Sequence, residues 1–92
     1  MSKWHVYLLR CRDGSLYCGI ATDIDRRVSE HNSGKGAKYI VPSRRPAKCV
    51  WKQTAKDRSA ASKLEHWIKQ RGSDAKEIIV RKKKRIKEHL AI

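Results

Sequence analysis

The chain has 92 residues, 23 of them Lys or Arg against 9 Asp or Glu, which leaves a formal net charge of +14. A chain of this length buries roughly 60–65% of its unfolded surface, enough for one modest core, so it is read as a single domain over residues 1–92 with no site between domains. Apolar residues make up 39% and charged residues 35%, spread through the whole length. That excludes wholesale disorder, and no run approaches the ~20 apolar residues of a membrane span.

Trp4 to Cys11 is β-rich and mostly apolar and reads as a first strand. Arg12-Asp13-Gly14-Ser15 then carries a hairpin signal, and Leu16 to Ile20 returns antiparallel. Thr22 or Asp23 can accept from free backbone N–H groups, with Asp25 placed as in a capping box, so a helix is expected from about Asp23 to Asn32. Ser33-Gly34-Lys35-Gly36 breaks it, Gly34 suiting a left-handed cap. Lys35 to Arg45 is expected to be a long basic loop. Ala47 to Thr54 alternates in part, Cys49 and Trp51 opposite Val50, and gives a third strand. Asp57 or Ser59 caps a helix with Ala60, Ala61, Leu64, Trp67 and Ile68 on one side, ended by Arg71-Gly72. Ser73-Asp74 caps a last, basic helix over about residues 73–90, with Ile78, Ile79, Ile86 and Leu90 apolar. The fold class is α+β: a small three-stranded antiparallel sheet flanked by helices. Trp4, Trp51 and Trp67 are assigned to the core of a domain that has no Phe.

Cys11, Cys18 and Cys49 form no C-x-x-C pair, which points to reduced thiols and, without a membrane span, to a cytoplasmic protein. The charge points to polyanions, nucleic acid ahead of an anionic membrane.

Three constellations can carry chemistry, each beside a plainer reading. Arg27 and His31 lie one helical turn apart along the edge of the Ile24 and Val28 stripe; they are a cation beside a titratable base, or a snorkelling charge and a core-edge histidine. Glu65 borders the apolar stripe of its helix and is either a partner for one of the many cations or a ligand for a hard cation held by few carboxylates. Tyr7 and Tyr17 sit on strands expected to pair, where they pack at the core edge or, near cations, approach phenolate.

In order, His5-Val6-Tyr7, Leu16-Tyr17-Cys18-Gly19, Thr22 to Val28 with His31-Asn32, and Ser59-Ala60-Ala61 with Glu65 resemble the GIY-YIG nuclease family. The resemblance covers roughly residues 4–70. Asn32 to Tyr39 and Arg45-Pro46 are similar to its short single-domain subfamily. The resemblance implies that Tyr7 and Tyr17 are the motif tyrosines, Gly19 the motif glycine, Arg27 the catalytic arginine, Glu65 the metal-binding glutamate and His31 a histidine found in part of the family. His5 stands in place of the first motif's glycine, Cys18 in place of an aliphatic residue, and Ile20 where some repair members carry a lysine.

The implied activity is one-step hydrolysis of a phosphodiester with Mg²⁺ or Mn²⁺, on DNA ahead of RNA. One tyrosine is the base and the other holds phosphate or water. Arg27 donates to phosphoryl oxygens, and His31 relays a proton or orients a tyrosine. Lys35, Lys38, Arg44, Arg45 and Lys48, with the tail Arg81, Lys82, Lys83, Lys84 and Arg85, are expected to meet the phosphate backbone without reading bases. The rival reading is a non-catalytic DNA- or RNA-binding module on the same fold; joint presence of Arg27, Glu65 and both tyrosines favours the enzyme.

Overall fold

A computed structural model of the chain describes residues 3–83, 85 and 86. Three strands, β1 (Trp4–Arg10), β2 (Leu16–Ala21) and β3 (Lys48–Ala55), form an antiparallel sheet in the order β2-β1-β3. Three helices, α1 (Ile24–Asn32), α2 (Arg58–Gln70) and α3 (Gly72–Lys82), pack against it, as the α+β expectation required. The central strand is buried on both faces, which is why Val6-Tyr7-Leu8-Leu9 is apolar without a break. Val6 and Leu8 face a core shared with Ala61, Leu64 and Ile68 of α2 and Ile79 of α3. Tyr7 and Leu9 face the other core, closed by Ala21, Ile40 and Ala47, with Ile24 and Val28 of α1 packed against it. Trp51 is buried, and Trp4 and Trp67 are half-buried against the first core.

Local chemistry explains the joints. Gly14 takes a positive φ of 89° in the β1–β2 turn, a conformation only glycine adopts freely, and Asp13 Oδ1 accepts from the Ser15 amide at 3.0 Å. Asp23 rather than Thr22 caps α1, accepting from the Arg26 amide at 3.1 Å, and Asp57 caps α2 through the Ala60 amide at 2.8 Å.

Four expectations need correction. The stretch Lys35 to Arg45 is not an open loop: it contains a 3-10 turn over Pro42–Arg44 and sinks Ile40 to 1% exposure. Asn32 ties its far end down, accepting from the Ala47 amide at 2.7 Å and donating to the Ala47 carbonyl at 3.1 Å. In β3 the alternation holds for Trp51, Gln53 and Ala55 but fails before them, because a bulge puts Leu8 opposite Trp51 and Leu9 opposite Cys49, leaving Val50 as the extra residue. The last helix starts at Gly72, with Arg71 as an N-cap lacking a side-chain bond, so Ser73 and Asp74 do not cap it. It stops at Lys82. Lys83 is left-handed (φ 50°) and Arg85 and Ile86 are non-helical, so the spacing from Ile79 to Ile86 is not helical. Lys84 and Leu90 lie outside the described residues.

The reason for that stop is a clamp. The side-chain amide of buried Gln53 donates to the Ile86 carbonyl at 2.6 Å and accepts from the Ile86 amide at 2.7 Å. This holds Ile86 against β3, where its side chain is buried. Gln53→Leu keeps most of the volume but orphans both backbone groups, and should cost about 1–3 kcal/mol, read as a lower urea midpoint at unchanged slope.

Candidate active site

Strand pairing sets the first contact. Tyr7 of β1 stands opposite Gly19 of β2, and a Cβ at Gly19 would lie 2.5 Å from Tyr7 Oη and 3.1 Å from the Tyr17 ring. Glycine is therefore what lets the two tyrosines share this face, their ring centroids 6.5 Å apart. From α1, His31 closes the group, its ring 5.3 Å from that of Tyr17 and its Nε2 2.9 Å from Tyr7 Oη.

The segment from Lys35 to Arg45 decides the state of that histidine. The Ala37 backbone N–H donates to His31 Nδ1 at 3.0 Å. A backbone N–H can only donate, so Nδ1 carries the lone pair and a neutral ring carries its proton on Nε2. His31 therefore donates to Tyr7 Oη and, in this tautomer, offers it no lone pair. Of the two roles open to His31, relay or orientation, the geometry favours orientation. Gly36 permits this contact, since a Cβ there would collide with His31 Nδ1 and come within 2.7 Å of its Cα.

Electrostatics follow from burial. Burial pushes the Tyr7 hydroxyl well above the ordinary phenol value and Tyr17 adds to it, while the Arg27 charge pulls the other way. Tyr17 is raised mainly by burial, with Lys69 opposing. His31 is lowered, first by burial and then by Arg27, consistent with a neutral ring. Arg27 is half-exposed and bonds to Glu30 at 3.1 Å.

Glu65 approaches from α2 with its side chain 23% exposed, paired to Lys69 at 3.4 Å. Among the described residues no three His, Cys, Asp or Glu side chains gather as a metal cage. A partly exposed single carboxylate still suits a hard cation completed by water and phosphate oxygens, which Mg²⁺ tolerates. Lys69 would have to yield. That lysine, whose ammonium also lies 5.8 Å from the Tyr17 ring centroid, was missed in the sequence, although its i+4 spacing from Glu65 is a legible signal. It brings a cation to the site from α2, where Ile20 brings none from β2.

Tyr39 was missed as well. It stacks on Tyr17 at 5.7 Å, and the Arg44 guanidinium lies over its ring at 4.2 Å from the centroid. Arg44 also bonds Asp13 at 3.0 Å and the Tyr39 carbonyl at 3.1 Å, and Arg45 bonds the Ile40 carbonyl at 3.1 Å. Arg44 thus spends two of its donor nitrogens on Asp13 and the loop, and Arg45 one on the loop. Lys35, Lys38, Lys48, Arg81, Lys82, Lys83 and Arg85 are exposed, and Lys84 lies outside the described residues.

Two outcomes test this geometry. Gly36→Ala should break the Ala37 to His31 bond and move the His31 ring ¹⁵N shifts away from the Nε2-protonated pattern. An unfolded histidine takes up its proton near pH ~6.5 and the folded His31 only at lower pH, so its contribution to stability is full above ~6.5 and falls as pH drops below that value. Melting temperature should decline from pH 7.5 to 5, and less steeply in His31→Gln.

Comparison with known proteins places these elements in a wider group. A family model described as the GIY-YIG catalytic domain matches residues 3–77. A UPF0213 protein of Desulfotalea psychrophila is 51% identical over 79 residues, covering 85% of this chain and 71% of that one. One from Vibrio cholerae is 45% identical over 80 residues, covering 86% and 78%. The solution NMR structure of a Bacillus halodurans UPF0213 protein superposes with a TM-score of 0.54 at 40% identity, covering 85% of this chain and 82% of the other. That of a protein from E. faecalis gives 0.55 at 32% identity, covering 95% and 97%.

Proposed function

The chain belongs to the GIY-YIG catalytic domain family, and from that premise we propose that it is an endonuclease hydrolysing phosphodiester bonds in DNA with a divalent metal, Mg²⁺ or Mn²⁺. The family acts on nucleic acid, and its nucleases generally depend on a divalent metal. The observation that carries the reading is the hydrogen-bonded line from Ala37 through His31 to Tyr7, which aims a fixed N–H at a buried phenol oxygen beside a cation. A packing tyrosine needs a hydrogen-bond partner but not the Arg27 charge beside it.

Water attacks phosphorus in line and loses its proton to Tyr7 Oη; the bond from phosphorus to the leaving 3′ oxygen breaks, and that oxygen is protonated from solvent. Tyr7 must enter this step as phenolate, its own proton having passed to solvent beforehand, because His31 offers it no lone pair. At rest burial keeps it a phenol, and His31 Nε2–H and Arg27 are the groups of this chain that stabilise its anion. Tyr17, less buried, holds the water or a phosphate oxygen. Arg27 presents its donors to the phosphoryl oxygens, where charge grows in the transition state. Glu65 would hold the metal, which when bound would supply positive charge to the leaving oxygen and to the phenolate. Lys69, released from Glu65, remains beside Tyr17 as a further cation.

One observation favours the rival, a binding module without turnover: Lys69 already neutralises Glu65 at 3.4 Å. Incubation with labelled duplex, single-stranded and branched DNA plus an RNA control, in Mg²⁺, Mn²⁺ or EDTA, separates the two. Cleavage should require metal and disappear in Glu65→Ala while binding persists. Arg27→Ala should lose about 10²-fold or more in turnover, and Tyr7→Phe should lose more turnover than Tyr17→Phe with little change in affinity. Binding without cleavage in any metal assigns the chain to the binding module.

A further inference from the structure

A cleft of about 540 Å³ opens along the outer edge of β3, away from the β2 side of the sheet. Its lining includes His5, Lys52, Thr54, Lys83 and Arg85, with Val50 as an exposed apolar patch. Among the described residues no carboxylate lines it. Among the described residues Lys52, Lys83 and Arg85 make no ion pair, whereas Arg10, Arg27, Arg44 and Lys69 all do. Like charges held together without a counter-ion repel each other, so this cluster is costly unless an anion shares it.

The cleft is also built. Gln53 grips the Ile86 backbone by two hydrogen bonds, and left-handed Lys83 supplies the turn that brings Arg85 back to β3. The wall bearing Lys83 and Arg85 is thereby fixed against the wall bearing Lys52. His5 Nδ1 bonds Thr54 Oγ1 at 3.1 Å, and its Nε2 has no protein partner among the described residues. This is the residue that replaces the glycine of the first motif. It lies two residues before Tyr7 on the same face of β1, ~7 Å along the strand, and Lys52 is the register partner of Tyr7 on β3.

We propose that this β3-edge cleft is a second binding site for the phosphodiester backbone, in which Lys52, Lys83, Arg85 and His5 grip phosphates flanking the bond presented to Tyr7. The proposal rests on the reading of the chain as acting on DNA, and it adds His5 and Lys52 to the binding surface. Three cations and an imidazole around an apolar patch match repeated anionic groups, and phosphate contacts of this kind position a polynucleotide without reading its bases.

The test uses the full chain in EDTA, where turnover is absent, with a fluorescently labelled DNA duplex. Lys52→Gln, Lys83→Asn and Arg85→Gln are combined, asparagine being chosen because it tolerates the left-handed backbone. A charge-matched control combines Lys3→Gln, Arg12→Gln and Lys63→Gln, all outside the cleft. The cleft variant should bind about tenfold or more weakly than the control, with a salt dependence shallower by about 0.9 in log–log slope for each phosphate that is no longer neutralised. His5→Gln should weaken binding in the same direction. Equally weakened binding in the cleft and control variants would overturn the proposal, as would inorganic phosphate or a mononucleotide binding as tightly as the duplex. If the cleft variant loses affinity and the wild type never cleaves in metal, the cleft stands and the endonuclease reading falls. If the wild type cleaves and the cleft variant binds as well as the control, the cleft falls alone.

Discussion

Burial of β1 on both faces governs the rest of the molecule. A strand at the centre of a sheet with cores above and below has no solvent face, so its alternate residues are divided between two interiors: Val6 and Leu8 toward α2 and α3, Tyr7 and Leu9 toward α1 and the segment from Lys35 to Ala47. Apolar side chains satisfy that constraint by packing alone. Tyr7 does not, because a buried hydroxyl needs a hydrogen-bond partner. His31 supplies it, and His31 in turn is satisfied by the Ala37 amide. The requirement to satisfy one buried phenol thus recruits α1 and the loop into a single polar line, and no buried side-chain nitrogen or oxygen among the described residues is left without a partner.

Acidic residues are scarce, and their positions shape the electrostatics. Glu30 holds Arg27, Asp13 holds Arg44, Glu65 holds Lys69, and Glu77 takes both Arg10 nitrogens at 2.6 Å. These pairs are partly or largely exposed and contribute little stability each. Their effect is to orient particular cations, such as Arg27 beside the tyrosines and Arg44 over Tyr39, while Lys52, Lys83 and Arg85 make no ion pair among the described residues. The same arrangement explains why Arg44, which looks like a backbone-contacting residue in the chain, is largely committed to Asp13 and the loop.

The elements that were legible beforehand are those whose signals are local. The Asp13-Gly14 turn, the Asp23 and Asp57 caps and the apolar stripe of α2 each follow from residues within a few positions of one another. The ordered set of Tyr7, Tyr17, Gly19, Arg27, His31 and Glu65 was readable as a resemblance, although each residue alone had an ordinary structural explanation. What escaped depends on contacts distant in the chain. The end of α3 is decided by Gln53, 33 residues before Ile86, and the exposure of Cys49 and Val50 follows from a bulge against β1. Tyr39 is placed by its stack on Tyr17, on a strand far upstream.

The sequence by itself determined the strongly basic charge and the α+β order of elements, because these depend on composition, short-range periodicity and residue type, and its ordered motifs marked the candidate site residues through their resemblance to a family. The tertiary structure decided which nitrogen of His31 carries the proton, which arginines are committed to the loop, that Lys69 sits on Glu65, and that His5 joins Lys52, Lys83 and Arg85 around one cleft. Each of these is a relation between groups on different elements. Hydrogen-bond direction and charge proximity exist only once folding has brought those elements together.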